Sequence, residues 1–132
     1  MLHHISLGVA QIERAAAFYD AALKPLGYVR VWSDLRPGEH GQAVGYGSPG
    51  DGDKLSLKQV SLESMASMPG FHLAFAAASR QAVAEFHASA LAAGGTDNGG
   101  PGLREHYGPN YFAAFIVDPE GHRLEAVSNG AV

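Results

Sequence analysis

The chain has 132 residues, enough for one domain with a core of its own and no need of disulfide staples. Nine Lys plus Arg against 13 Asp plus Glu give a net charge of −4, and the basic residues are scattered, so no phosphate backbone and no nucleic acid is expected as a partner. The absence of cysteine excludes thiolate metal sites and a cysteine nucleophile, and no apolar run approaches the ~20 residues that a bilayer span requires.

"HHISLGVA" predicts a strand over about 3–9, with Ile5, Leu7 and Val9 on one face and His4, Ser6 and Gly8 on the other. An imidazole on a face of small residues is either a plain polar residue or half of a site. A helix follows over about 11–24, with Ile12, Ala16, Tyr19 and Leu23 along one stripe and Asp20 and Lys24 paired on its outer side. "YVRVWSD", "QAVGYGS" and "KLSLKQV" read as extended segments, with Pro37-Gly38 and Asp51-Gly52 in the turns between them. "ESMASMPG" is a joint. Beyond it come a strand over about 71–77 and a helix over about 79–93, with Ser79 as N-cap and Gly94-Gly95 as its stop. A poorly patterned stretch around 97–106 precedes "YFAAFIVD" and "RLEAVS", which flank a turn at Pro119-Glu120-Gly121.

The two halves repeat. His4 and His72, Phe18 and Phe86, Leu23 and Leu91, and Gly27 and Gly95 each stand 68 residues apart, inside segments of the same strand-then-helix pattern. Setting Gly52 against Gly121 aligns "DGDKLSL" with "EGHRLEA", placing Leu55 on Leu124 and Ser56 on Glu125. The expected fold is α+β: two tandem βαβββ modules, about 1–65 and 70–132.

"HHISLGVAQIERAAAFY" resembles the opening of the vicinal-oxygen-chelate superfamily, which comprises the glyoxalase, bleomycin-resistance and extradiol-dioxygenase proteins. "DPEGHRLEAV" resembles its closing D-P-x-G-x-x-x-E element. The resemblance spans nearly the whole chain. It implies a single glyoxalase-like domain, in which the modules form a half-open eight-stranded barrel with the helices outside. The barrel closes within one chain or across a homodimer, and a homodimer is expected.

Carried onto this sequence, the resemblance implies metal ligands at His4, His72 and Glu125. Two imidazoles and a carboxylate suit a divalent ion (Fe, Mn, Zn, Ni or Co) and leave coordination positions open for substrate. Taken singly, each of these residues reads as a hydrogen-bonded barrel polar group. The fourth ligand of glyoxalase I proper, a glutamate, falls at Ser56, whose hydroxyl is a poor ligand and a poor base. Ser6 lies where the superfamily's fosfomycin thiol-transferases carry a threonine, although the potassium-binding loop and basic tail of those enzymes are missing.

Other groups fall near the expected cleft. Lys58 and Arg123 share strand faces with Ser56 and Glu125, and Arg123 could grip an anionic substrate group through two hydrogen bonds. The loop "LREHYGPNYF" concentrates Arg104, His106, Tyr107 and Tyr111, which suits a lid or a proton relay. Trp32 and Tyr46 read as barrel filling or cleft lining, while His87 reads as structural and His40 and His122 as solvated. The expected catalytic set is Glu125, Tyr107, His106 and Ser6, with Arg123, Lys58, Tyr111 and Trp32 contacting substrate.

Two functions follow. One is a divalent-metal enzyme of lyase, isomerase or dioxygenase type, acting on a small substrate with vicinal oxygens. The other is a metal-free protein that binds or sequesters a small molecule such as a drug. No basic and apolar leader opens the sequence, so a cytoplasmic protein with no membrane partner is expected.

Overall fold

In the computed structural model, which describes residues 1–65 and 70–131, each half of the chain lays down a strand, crosses back through a helix and returns as a small sheet. Part of the expected joint, residues 66–69, lies outside the described residues. The first half contains β1 (Ile5–Val9), α1 (Ile12–Leu23), β2 (Val29–Asp34), β3 (Ala43–Gly47) and β4 (Leu55–Gln59). The second contains β5 (Leu73–Ala76), α2 (Arg80–Ala92), β6 (Thr96–Asp97), β7 (Gly102–Leu103), β8 (Phe112–Val117) and β9 (Arg123–Ser128). The sheets run β1-β4-β3-β2 and β5-β9-β8-β6, with β7 also on β8.

The duplication is visible in the ladders. β1 lies parallel to β4 with Ile5 opposite Leu55 and Ser6 opposite Ser56, and β5 lies parallel to β9 with Leu73 opposite Leu124 and Ala74 opposite Glu125. Equivalent residues therefore occupy equivalent rungs, as the alignment of Leu55 with Leu124 requires. Among the described residues, no strand pairing joins the two sheets, so the barrel stands as two open halves. Among the described residues there are nine short strands, because one strand of the second module is split in two. The added strand comes from Asn98-Gly99-Gly100-Pro101, which interrupts what would be one return strand. Proline has no N–H for a ladder, and Gly99 has φ +140°, outside the strand region. The two remnants, β6 and β7, both pair with β8.

One face of each sheet and both helices share a single core. Leu7, Val9, Val44, Tyr46 and Leu57 come from the first sheet and Ala114, Ile116, Leu124 and Ala126 from the second, closed over by Phe18 of α1 and Phe86 of α2. Burying each larger side chain here contributes on the order of 1.5–3 kcal/mol. The opposite, helix-free faces carry the alternate residues, among them Ser6 and Ser56 on one sheet and Glu125 on the other.

The helices begin differently. Ser79 caps α2 as expected, its hydroxyl accepting the Ala82 N–H at 3.1 Å. Helix α1 has no side-chain cap of its own at Gln11. Instead Glu120, in the turn between β8 and β9, accepts the N–H groups of Ala10 and Gln11 at 3.0 and 2.9 Å. A carboxylate there also complements the positive end of the helix dipole. The same turn places buried Asp118 against the Tyr19 hydroxyl at 2.5 Å and against the N–H groups of Glu120 and His122.

Two expectations need correction. His122 is not solvated: its Nε2 lies 2.7 Å from the Gly8 carbonyl, fastening the turn to β1. Asp20 does not pair with Lys24, because the Arg30 guanidinium engages both of its oxygens at 2.6 and 3.1 Å and the Tyr46 hydroxyl adds a third bond. Lys24 ends the helix and opens a 3₁₀ turn over Lys24–Leu26.

Candidate functional site

Strand alternation delivers Glu125 to the helix-free face of β9, between Leu124 and Ala126, which enter the core. There it is only 2% exposed. A buried carboxylate persists only if its oxygens are satisfied. Both are: His72 Nε2 lies 3.0 Å from Oε1, and the Tyr111 hydroxyl donates to Oε2. His72 remains half exposed, so the cluster opens to solvent on the imidazole side. Burial, followed by the hydrogen bond to Glu125, pushes the Tyr111 phenol up to about 12, which keeps it a proton donor at neutral pH.

Tyr111 in turn belongs to a line of rings. Its ring centroid stands 5.3 Å from that of Tyr107, which stands 4.1 Å from His106. Tyr107 is 64% exposed, so the line runs from solvent to the buried carboxylate. Tyr107 and His106 of the loop are therefore joined to the site through Tyr111, whereas the Arg104 guanidinium lies over the Phe115 ring at 5.4 Å and donates to the Gly100 carbonyl at 2.8 Å. Sequence reading assigned Tyr111 to substrate and missed its bond to Glu125; no sequence signal fixes such a loop-to-strand contact.

The first half holds a depleted copy of this cluster. Ser56, at the rung equivalent to Glu125, is buried and shares a hydrogen bond of 2.6 Å with Ser6. His4, the counterpart of His72, is exposed, with its Nδ1 2.9 Å from Nδ1 of His3. His72 and Glu125 have the donor chemistry and adjacency that a borderline divalent ion favours. Among the described residues, however, no three His, Asp or Glu side chains gather as a metal centre needs. A single chain brings together two of the three expected ligands and does not add His4 to them.

Arg123 and Ser6 meet elsewhere, at a cavity of about 560 Å³ between the halves that is also lined by Phe71, His122 and Val60. Arg123 stands two residues before Glu125 on β9, which sets the cavity beside the cluster along that strand. Lys58 is exposed on β4 and does not line this cavity. Trp32 lies over Gly45 of β3, where a Cβ would sit 2.1 Å from the indole Nε1, and is 38% exposed. Tyr46 points the other way, into the core between sheet and helix, where its hydroxyl donates to the Ala16 carbonyl of α1 at 3.0 Å, so it neither fills the barrel nor lines the helix-free face.

Paired βαβββ modules around an open-faced site define a known class of fold. The model of the Glyoxalase/Bleomycin resistance protein/Dioxygenase superfamily matches residues 1–126, and the chain belongs to that family. Among solved structures, a glyoxalase/bleomycin resistance protein from Albidiferax ferrireducens is 27% identical with TM-score 0.69, the match covering 94% of each chain. A glyoxalase/bleomycin resistance protein/dioxygenase family enzyme from Burkholderia phytofirmans is 20% identical with TM-score 0.71, over 96% of each chain. A glyoxalase I mutant from Zea mays shares the fold at 21% identity and TM-score 0.70; the match covers 96% of this chain and 46% of that one. No curated protein matches the chain. Among the described residues, no helix is long and apolar enough to cross a membrane.

Proposed function

We propose that the chain is a glyoxalase-like enzyme acting on a small molecule with vicinal oxygens, with Glu125 as its central acid–base group. The observation that carries this reading is the near-complete burial of Glu125 between the His72 imidazole and the Tyr111 hydroxyl, on a sheet face that the helices leave open. A carboxylate held in this way can take a proton from a bound substrate while Tyr111 supplies one to a developing oxyanion. Tyr107 and His106, packed beyond Tyr111, border the site on its solvent side. Arg123, at the neighbouring cavity, supplies a cation for an anionic substrate group.

His72 and Glu125 are two ligands for a divalent ion, and a homodimer in which a second copy contributes His4 supplies the third. Such an ion would polarise the adjacent oxygens of the substrate. A cytoplasmic location fits this reading. The test is metal content after purification without chelator, together with mass by light scattering. About one ion per chain in a dimer, lost in His72→Ala, supports the enzyme.

A second reading, metal-free binding or sequestration of a small molecule, draws on a different observation. Both Glu125 oxygens already have partners within the chain, and Trp32 and Tyr107 present exposed rings. Metal-free protein whose stability is unchanged in His72→Ala supports that reading.

A further inference from the structure

The loop over 104–111 is closed on itself by short backbone bonds. The Arg104 N–H donates to the Tyr111 carbonyl at 2.7 Å, Tyr107 to Arg104 at 2.9 Å and Gly108 to Glu105 at 3.1 Å. Tyr111 is absent from the hydrophobic core, and its ring touches Tyr107, itself mostly exposed. Beside the Arg104 guanidinium, which lies 5.4 Å over the Phe115 ring and donates to the Gly100 carbonyl at 2.8 Å, the loop is tied to the buried carboxylate of the sheet by the Tyr111 hydroxyl on Glu125. That bond also takes the one Glu125 oxygen that His72 leaves open.

We propose that the bond between Tyr111 and Glu125 is a latch: it holds loop 104–111 shut and reserves Oε2, so that any ligand using both carboxylate oxygens must displace Tyr111. The inference rests on the assignment of Glu125 as the ligand-binding carboxylate and adds the competitor that a ligand meets there. An ionised carboxylate stripped of one donor in a buried position gains more from an incoming cation than one already satisfied. Tyr111 therefore weakens cation binding in the resting chain, and displacing it frees the loop. A residue that only packed the loop would have the opposite effect, because loosening the site would weaken binding.

The experiment uses the full chain and its Tyr111→Phe variant, with zinc as the probe in calorimetry and backbone amide exchange as a readout that needs no metal. Tyr111→Phe is expected to bind zinc tighter by roughly tenfold or more, because a hydrogen bond to a charged group no longer competes. Exchange of the Arg104, Tyr107 and Gly108 amides is expected to quicken by roughly tenfold as the loop opens more often. Equal or weaker zinc binding by the variant overturns the latch, as does unchanged exchange in the loop. If neither protein binds zinc, the ion reading of the site fails. The latch is then decided by the exchange rates alone.

Discussion

Glu120 holds the backbone N–H of Gln11 at 2.9 Å across 109 residues of sequence, so that the last hairpin turn caps the first helix. With the Ala10 N–H on its other oxygen and a side chain only 4% exposed, this carboxylate makes two charge-assisted bonds largely shielded from water. Glu120→Ala is expected to cost about 2–3 kcal/mol, measured as a lower urea midpoint with an unchanged slope. Glu120→Gln, which keeps one acceptor, should cost less. A loss under about 0.5 kcal/mol in the alanine variant would show that water replaces the clamp.

The equivalent position in the second half predicts a local effect. Ser79 caps α2 through a single bond from Ala82 and ties no distant segment to it. Ser79→Ala should cost about 1 kcal/mol, the usual value for a lost N-cap hydroxyl. Thermal unfolding of the two alanine variants side by side tests the contrast between the related helices.

Alkaline pH should unfold the chain. Burial, and then the neighbouring carboxylates, raise the phenols of Tyr19, Tyr46 and Tyr111 above their ordinary value, so the folded state holds their protons more tightly than the unfolded state. The stability linked to these groups is complete below the unfolded tyrosine pKa of about 10 and falls as pH rises through the folded values. Melting temperature should therefore drop above about pH 10. Phenolate absorbance should report three tyrosines still largely protonated near pH ~11 while the fold persists. Full phenolate absorbance in a folded chain at that pH would refute the account.

Gly45→Ala tests the seat of the single tryptophan. The added methyl carbon would stand 2.1 Å from Trp32 Nε1 and 2.4 Å from Cε2, and a rigid indole cannot yield in place. Trp32 must swing off β3 toward water, which should move its fluorescence maximum to the red. Because the ring is already partly exposed, the stability cost should be only about 1 kcal/mol. An unshifted spectrum would mean that the ring does not rest on Gly45.

Much of the fold was legible because the sequence states it twice. The spacing between His4 and His72 and the match of Leu55 with Leu124 describe a register that the two parallel ladders reproduce. Alternation also separated Glu125 from its core neighbours correctly. The contacts that were not legible are those between segments with no periodic relation. Tyr111 on Glu125, Glu120 on Gln11, His122 on Gly8 and Arg30 on Asp20 all depend on how loops and edges meet after the sheets form. The break at Asn98-Gly99-Gly100-Pro101 was visible as weak patterning, but not as the boundary between two strands that share one neighbour.

The clamp between the final hairpin and the first helix also bears on how the protein is made. A ribosome adding ~5–20 residues per second delivers Glu120 roughly 5–20 s after Gln11. Throughout that interval the entrance to α1 lacks its acceptor, and Tyr19 lacks Asp118. The leading half of a nascent chain thus waits, exposed and provisional, for the trailing half to secure it. A ribosome stalled before codon 118 would present quality-control factors with a complete first module whose helix still lacks the acceptor for its leading amides.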